Sequence, residues 1–232
     1  MQTTKRTFNL ISFDILNTLL KTSRSPYESY SQYAKSFGIR DVDRCIFESR
    51  YKKRFQEMSV ERPFYGLNKC SAVQWWREIV IACYSKEVTN DEYVLHSLAN
   101  HIYYEYEKSD QWSLLPHALN LLTVAKQSNV PMIVVSNFDE RIENILENVG
   151  IRSFFHDVFI PKNVGVGKPN SEMFRRVLTK LKVFEAKDVL HIGDDYHNDY
   201  LAPCAVGMNA ILTNCQSSKE DLTLYELART II

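Results

Sequence analysis

The sequence predicts an α/β fold, a doubly wound parallel sheet whose first strand is separated from the others by an inserted run of helices. Three observations carry this. An apolar run, Phe8 to Phe13, ends on a carboxylate, Asp14. From Pro26 to about Ser109 apolar residues recur at helical spacing, with no convincing strand among them. After Trp112 short apolar strands alternate with helical segments, as in strand–helix–strand units.

In chain order, Phe8 to Phe13 reads as a buried strand. Tyr27, Tyr30, Ala34 and Phe37 share one helical face, and Gly38 stands where that helix would end. Asp41 opens a charged amphipathic stretch carrying Cys45, Ile46 and Phe55. A third run carries Val73, Trp76, Ile79, Val80 and Cys83. A fourth, opening at Asn90 or Asp91, carries Val94, Leu98 and Ile102. Pro116 suits the first turn of a helix with Leu119, Leu122 and Ala125. Met132–Ser136 is the next strand, then a helix over Asp139–Val149 with Gly150 just past its end. Val158–Ile160 is a strand, Ser171–Lys182 a helix and Val189–Ile192 a strand. A helix over Leu201–Val206 and a strand over Asn209–Thr213 complete the pattern. Residues 1–19 and 111–232 are therefore expected to form the sheet-bearing domain and residues 20–110 a helical cap, with hinges at Leu20–Ser25 and Ser109–Leu115.

Of the 232 residues, 45% are hydrophobic and 24% charged, which excludes disorder of the whole chain. Formal net charge is zero, so neither nucleic acid nor a membrane surface is expected as a partner. The five cysteines (Cys45, Cys70, Cys83, Cys204, Cys215) are odd in number and lack CxxC spacing, which suits a reduced compartment. Met1 to Leu10 has no apolar signal-peptide run, and the next apolar run is broken by Asp14 and Asn17. A cytoplasmic protein is expected, with nucleus and mitochondrion left open.

The polar residues fall at strand ends, where open parallel sheets bind ligands. Asp14 follows the first strand. Ser136 and Asn137 end the second strand of the sheet, and Lys168 lies in the loop after the third. Asp194, Asp195 and Asp199 follow Val189–Ile192. Four strands thus bring carboxylates, a hydroxyl and an ammonium to one edge.

Phe13-Asp14 with Thr18, Val134-Val135-Ser136-Asn137, Gly167-Lys168-Pro169 and Ile192-Gly193-Asp194-Asp195 through Asp199 resemble, in order, the four motifs of the haloacid dehalogenase superfamily. Asp14 to Leu20, Tyr65-Gly66-Leu67, Gln74-Trp75-Trp76 and Ser136-Asn137-Phe138-Asp139 are similar to the rhythmically expressed gene 2-like group, the branch that includes haloacid dehalogenase-like hydrolase domain-containing protein 3. The resemblance implies a Rossmann-like core and a hydrolase that acts on a small phosphorylated molecule. Asp14 would attack phosphorus and form an aspartyl-phosphate. Mg²⁺ would be held by Asp14, Asp194 and the Leu16 backbone carbonyl, with Asp195 and Asp199 orienting those ligands. Ser136, Asn137 and Lys168 would hold the phosphoryl oxygens, and Thr18 would position the Asp14 loop.

One position departs from the pattern. Most phosphatases of the superfamily carry a second aspartate two residues after the nucleophile as general acid and base; here that position is Leu16. A backbone carbonyl survives that change and a proton shuttle does not. His197, beside the metal loop, is a substitute candidate. Metal-free dehalogenation tolerates Leu16, though such enzymes usually lack the Gly-Asp-Asp element seen here at Gly193-Asp194-Asp195. A phosphate-binding regulatory protein without turnover is the third alternative.

Other polar residues have plainer readings. His191, inside an apolar strand, reads as a satisfied core histidine. Asp139 reads as a helix N-cap. The remaining histidines lack zinc-ligand spacing. Of the adjacent Trp75 and Trp76, only one can face the helical core well. Arg62, Tyr65 and Trp75, in and after the Glu61–Gly66 segment, are the substrate-facing candidates of the cap.

Overall fold

The computed structural model describes residues 8–84 and 91–213; Asn90 and Cys215 lie outside them. The strands, in chain order, are β1 (Leu10–Phe13), β2 (Leu20–Thr22), β3 (Trp112–Leu114), β4 (Met132–Val135), β5 (Asp157–Phe159), β6 (Val189–Gly193) and β7 (Asn209–Leu212). The helices are α1 (Pro26–Ser36), α2 (Arg44–Glu61), α3 (Pro63–Gly66), α4 (Ala72–Cys83), α5 (Glu92–Glu105), α6 (Ala118–Gln127), α7 (Ile142–Val149), α8 (Pro161–Val164), α9 (Glu172–Lys180) and α10 (Ala202–Cys204).

The chain divides into two compact units. One comprises residues 1–21, 112–138 and 149–232, the other residues 22–111 and 139–148. Residues 139–148, which strand–helix alternation alone assigns to the sheet-bearing part, group with the helical unit.

The first unit is built on a five-stranded sheet of order β5-β4-β1-β6-β7, parallel at each pairing. β1 and β4 are buried at every position. That is why β4 reads as an unbroken apolar run and β1 as one broken only by Ser12, rather than as alternating strands, since a parallel sheet covered on both faces has no wet side. Leu10, Ile133, Val135, Phe159 and Val189 pack with Met173, Phe174, Val177 and Leu178 of α9 in one core. The chain order reverses around β1, which lies between β4 and β6. Crevices of such sheets open at the carboxyl ends of the strands flanking that reversal.

The helical unit is closed by polar caps at its helix starts. Ser25 and Glu28 form a capping box on α1, Ser71 and Gln74 another on α4, and Asp43 and Asp91 accept the first free N–H groups of α2 and α5. Its core contains Tyr30, Phe47, Met58, Trp75, Ile79, Val80, Leu98 and Ile102. Residues 139–148 carry a buried ion pair into this unit. Arg141 Nε lies 2.8 Å from Asp139 Oδ1, and the guanidinium stacks over the Tyr103 ring at 4.1 Å.

Several expectations need correction. β2 and β3 form a two-stranded sheet that periodicity did not reveal, because three-residue strands hold too few residues to show alternation. α6 starts at Ala118, after His117 in the left-handed conformation, so Leu119 is exposed and Leu121 faces inward. α7 starts at Ile142 rather than Asp139. The expected helix at 201–206 is a π turn over Tyr196–Leu201 running into α10. In α2 the inward residues are Phe47 and Met58, and Cys45 and Ile46 are exposed. In α4 the core-facing tryptophan is Trp75 rather than Trp76.

Candidate active site

The site is assembled at the carboxyl edge of the sheet. Asp14 N–H donates to the Ile192 carbonyl at 2.9 Å, so β1 stays tied to β6 up to the carboxylate. The chain then turns sharply. The Ile15 carbonyl accepts the N–H groups of Thr18, Leu19 and Leu20, and Asn17 takes φ 60°, a left-handed conformation that asparagine tolerates. Half-buried Leu16 sits within this turn. The turn buries Thr18, whose hydroxyl donates to Asp194 Oδ1 at 3.3 Å.

Lys168 is the hub. Its Nζ lies 2.7 Å from Asp14 Oδ1 and 2.6 Å from Asp199 Oδ1, and its side chain is 2% exposed. Ser136, at the end of β4, is buried and its N–H donates to the Phe159 carbonyl. Asn137, expected among the phosphate-binding residues, has its side-chain amide engaged elsewhere. That amide is committed to Lys168, donating from Nδ2 to its carbonyl at 2.7 Å and accepting its N–H at 2.8 Å. The Asn137 backbone is what remains for a ligand.

Asp199 is held at both oxygens, by Lys168 and His191 on one and by the Asp195 N–H on the other. The backbone there comes so close that a Cβ on residue 193 would overlap Asp199 Cβ and Cγ, which is why β6 ends on Gly193. Asp195 needs correction. Its carboxylate is exposed and caps the following turn, accepting from His197 N–H and Asn198 N–H, so only its backbone touches the cluster. His197 is exposed on that turn, its ring beside Tyr196.

Asp14, Asp194 and Asp199 each offer an oxygen, all within 4.8 Å of one another. Three carboxylates therefore face one ammonium, and the charges follow. Burial pushes the Asp14 carboxyl up to about 6, against the pull of Lys168 and with the push of Asp199 and Asp194. Burial opposes the Lys168 charge, yet Asp14 and Asp199 together hold its ammonium above the ordinary lysine range. Burial likewise opposes ionisation of Asp199, but Lys168 and His191 hold it below the usual carboxylate range. Asp194 is pushed up by burial and by Asp199. It is the carboxylate short of positive charge, and the donors are all hard oxygens, so the set fits Mg²⁺.

The other candidates lie in the helical unit. Trp75 is corrected: it is 1% exposed, its indole N–H donating to the Arg62 carbonyl at 2.9 Å, so it is packing rather than a ligand contact. The Arg62 side chain is paired with Glu78 at 2.6 Å. Tyr65 has a left-handed backbone and stacks on Trp76, whose indole N–H donates to Asp139 Oδ2 at 2.8 Å. Sequence reasoning missed Ser12 and the tie between His191 and Asp199. The available signal was one polar residue in each of two apolar strands.

A family model for haloacid dehalogenase-like hydrolases matches residues 8–207. The chain is 31% identical over 204 residues to haloacid dehalogenase-like hydrolase domain-containing protein 3 of Xenopus laevis, covering 88% of this chain and 83% of that protein. Its fold is similar to that of the putative HAD-hydrolase YfnB of Bacillus subtilis bound to magnesium, with TM-score 0.62 and 18% identity over 89% of this chain and 87% of that one. It is similar also to 2-haloacid dehalogenase of Pseudomonas syringae pv. Tomato DC3000, with TM-score 0.64 and 18% identity over 88% and 86% of the two chains. The chain belongs to the haloacid dehalogenase-like hydrolase family.

Proposed function

We propose that this hydrolase cleaves small phosphate esters with Mg²⁺, using Asp14 as nucleophile. The observation that carries the proposal is the buried Asp14 carboxylate, 2.7 Å from Lys168 Nζ, in one oxygen cluster with Asp194 and Asp199. Asp14 attacks phosphorus, the P–O bond to the alcohol breaks, and the aspartyl-phosphate is then hydrolysed by water. Lys168 and the Ser136 hydroxyl hold the phosphoryl oxygens, with the backbone N–H groups at 137–138 beside them. Asp14, Asp194 and the Leu16 carbonyl are the residues that would hold Mg²⁺, which supplies charge screening between carboxylate and phosphate. Asp199 orients Lys168, and Thr18 orients Asp194. The helical unit serves as the cap.

Half-buried Leu16 favours a second reading, phosphate binding with little turnover. General acid–base catalysis is worth about 10²–10⁴-fold, so its loss leaves slow chemistry on poor leaving groups. Dehalogenation is less well supported, since Asp194 and Asp199 supply carboxylates to a cluster that such chemistry does not need. A panel of phosphorylated metabolites, run with and without Mg²⁺ and with Asp14→Asn as control, tests the proposal. Mg²⁺-dependent hydrolysis absent from the variant is expected. Leu16→Asp should then help alkyl esters more than aryl ones, by up to about 10²-fold, because only the alkoxide needs a proton. A parent that binds phosphate and hydrolyses nothing favours the second reading.

A further inference from the structure

Ser12 and His191 interrupt two otherwise apolar strands, and the register of β1 on β6 sets them opposite each other. Both are fully buried. Ser12 Oγ lies 2.7 Å from His191 Nδ1, and His191 Nε2 lies 3.1 Å from Asp199 Oδ1. That same oxygen takes Lys168 Nζ, which also reaches Asp14. Five side chains thus form one hydrogen-bonded line from inside the sheet to the carboxylate at its edge.

Donor chemistry fixes the direction of the bonds. An ionised Asp199 only accepts, so the hydrogen sits on Nε2. Nδ1 of the neutral ring then accepts the Ser12 O–H at 2.7 Å, the Leu190 carbonyl being the more distant acceptor at 3.5 Å. Phe174 packs edge-on against the imidazole at 4.8 Å between ring centroids, which limits other orientations.

We propose that His191 is a positioning residue, its ring fixed by Ser12, that sets the Asp199 carboxylate and through it places the Lys168 ammonium beside Asp14. The consequence for turnover rests on the phosphohydrolase reading, whereas the placement of Lys168 does not.

Exchange of the Lys168 ammonium hydrogens with water, followed by NMR on the metal-free full chain, reads that placement directly. His191→Leu keeps apolar bulk and removes the donor. His191→Gln returns an amide N–H at similar reach, and Ser12→Ala frees the ring while changing the core least. Exchange is expected to quicken about tenfold in His191→Leu, the worth of one charge-assisted hydrogen bond. It should quicken less in Ser12→Ala and stay near the parent in His191→Gln. If His191→Leu does not fold, Ser12→Ala against His191→Gln makes the same comparison. Parental exchange in all variants would mean that His191 only fills space and would overturn the proposal. So would equal quickening by Leu and Gln, since the loss would then follow the ring and not its donor. Mg²⁺ calorimetry on Asp194→Asn separates the two readings. Parental affinity there sinks the metal-dependent phosphohydrolase, while quickened exchange in His191→Leu would leave the role of His191 standing.

Discussion

At residue 193 the absence of a side chain is what lets Asp199 come in under the carboxyl end of β6. Gly193→Ala is expected to displace Asp199 from Lys168 and to cost about 1–3 kcal/mol, as over-packing of a filled interior does. Urea denaturation and Mg²⁺ calorimetry on one preparation would check this; unchanged values in both would contradict the close approach. Asp14 supplies a second residue-scale expectation. Its carboxyl, raised by burial to about 6, is protonated below that pH and ionised above it. Between the ordinary carboxylate range and about pH 6 the folded chain keeps a proton that the unfolded chain has lost. Asp14 therefore contributes stability at low pH that disappears as pH rises through about 6. If Asp14 is a Mg²⁺ ligand as proposed, the metal would compete with that proton. Carbon-detected NMR should show the Asp14 titration near 6 without metal and displaced downward with it; a midpoint indifferent to Mg²⁺ would remove Asp14 from the metal site.

At the scale of elements, β1, β4 and β6 were legible because burial on both faces leaves a strand apolar but for a single polar side chain, Ser12 in β1 and His191 in β6. The long helices were legible because an apolar stripe repeats over several turns. β2 and β3 were too short to show a period. The Asp199 turn was misread because its winding is set by the Asp195 cap, by the fit of Asp199 beneath Gly193 and by the ties of Asp199 to Lys168 and His191, none of which shows as a period in the sequence. Trp75 and Trp76 show a related limit. Adjacent residues differ by about 100° around a helix, and the face that wins depends on neighbouring helices rather than on α4 alone. The indole N–H of Trp75 donates to the Arg62 and Met58 carbonyls at the end of α2, which also accept the backbone N–H groups of Gly66 and Arg62. Trp75→Ala is expected to cost about 3–5 kcal/mol in the helical unit. Mg²⁺ affinity should stay at the parental value in whatever fraction remains folded. A loss of metal affinity without loss of stability would return Trp75 to the site.

At the scale of the whole molecule, most of the candidate site was legible because its residue types arrive in order at strand ends. Asp14, Lys168, Asp194 and Asp199 meet although 185 positions separate the first from the last, and Thr18 joins them. Less legible was the division of labour within the site. Asn137 spends its side chain on the Lys168 backbone, Asp195 on a turn, and His191 on Asp199, and none of these commitments can be read from residue type. The most direct measurement of the central claim concerns Asp14 itself. Beryllium fluoride mimics a phosphoryl group on a carboxylate, and fluorine NMR distinguishes its bound and free forms. With Mg²⁺ present, the parent should show the bound form and Asp14→Ala none. Equal binding by Asp14→Ala would contradict the assignment of Asp14 as the nucleophile.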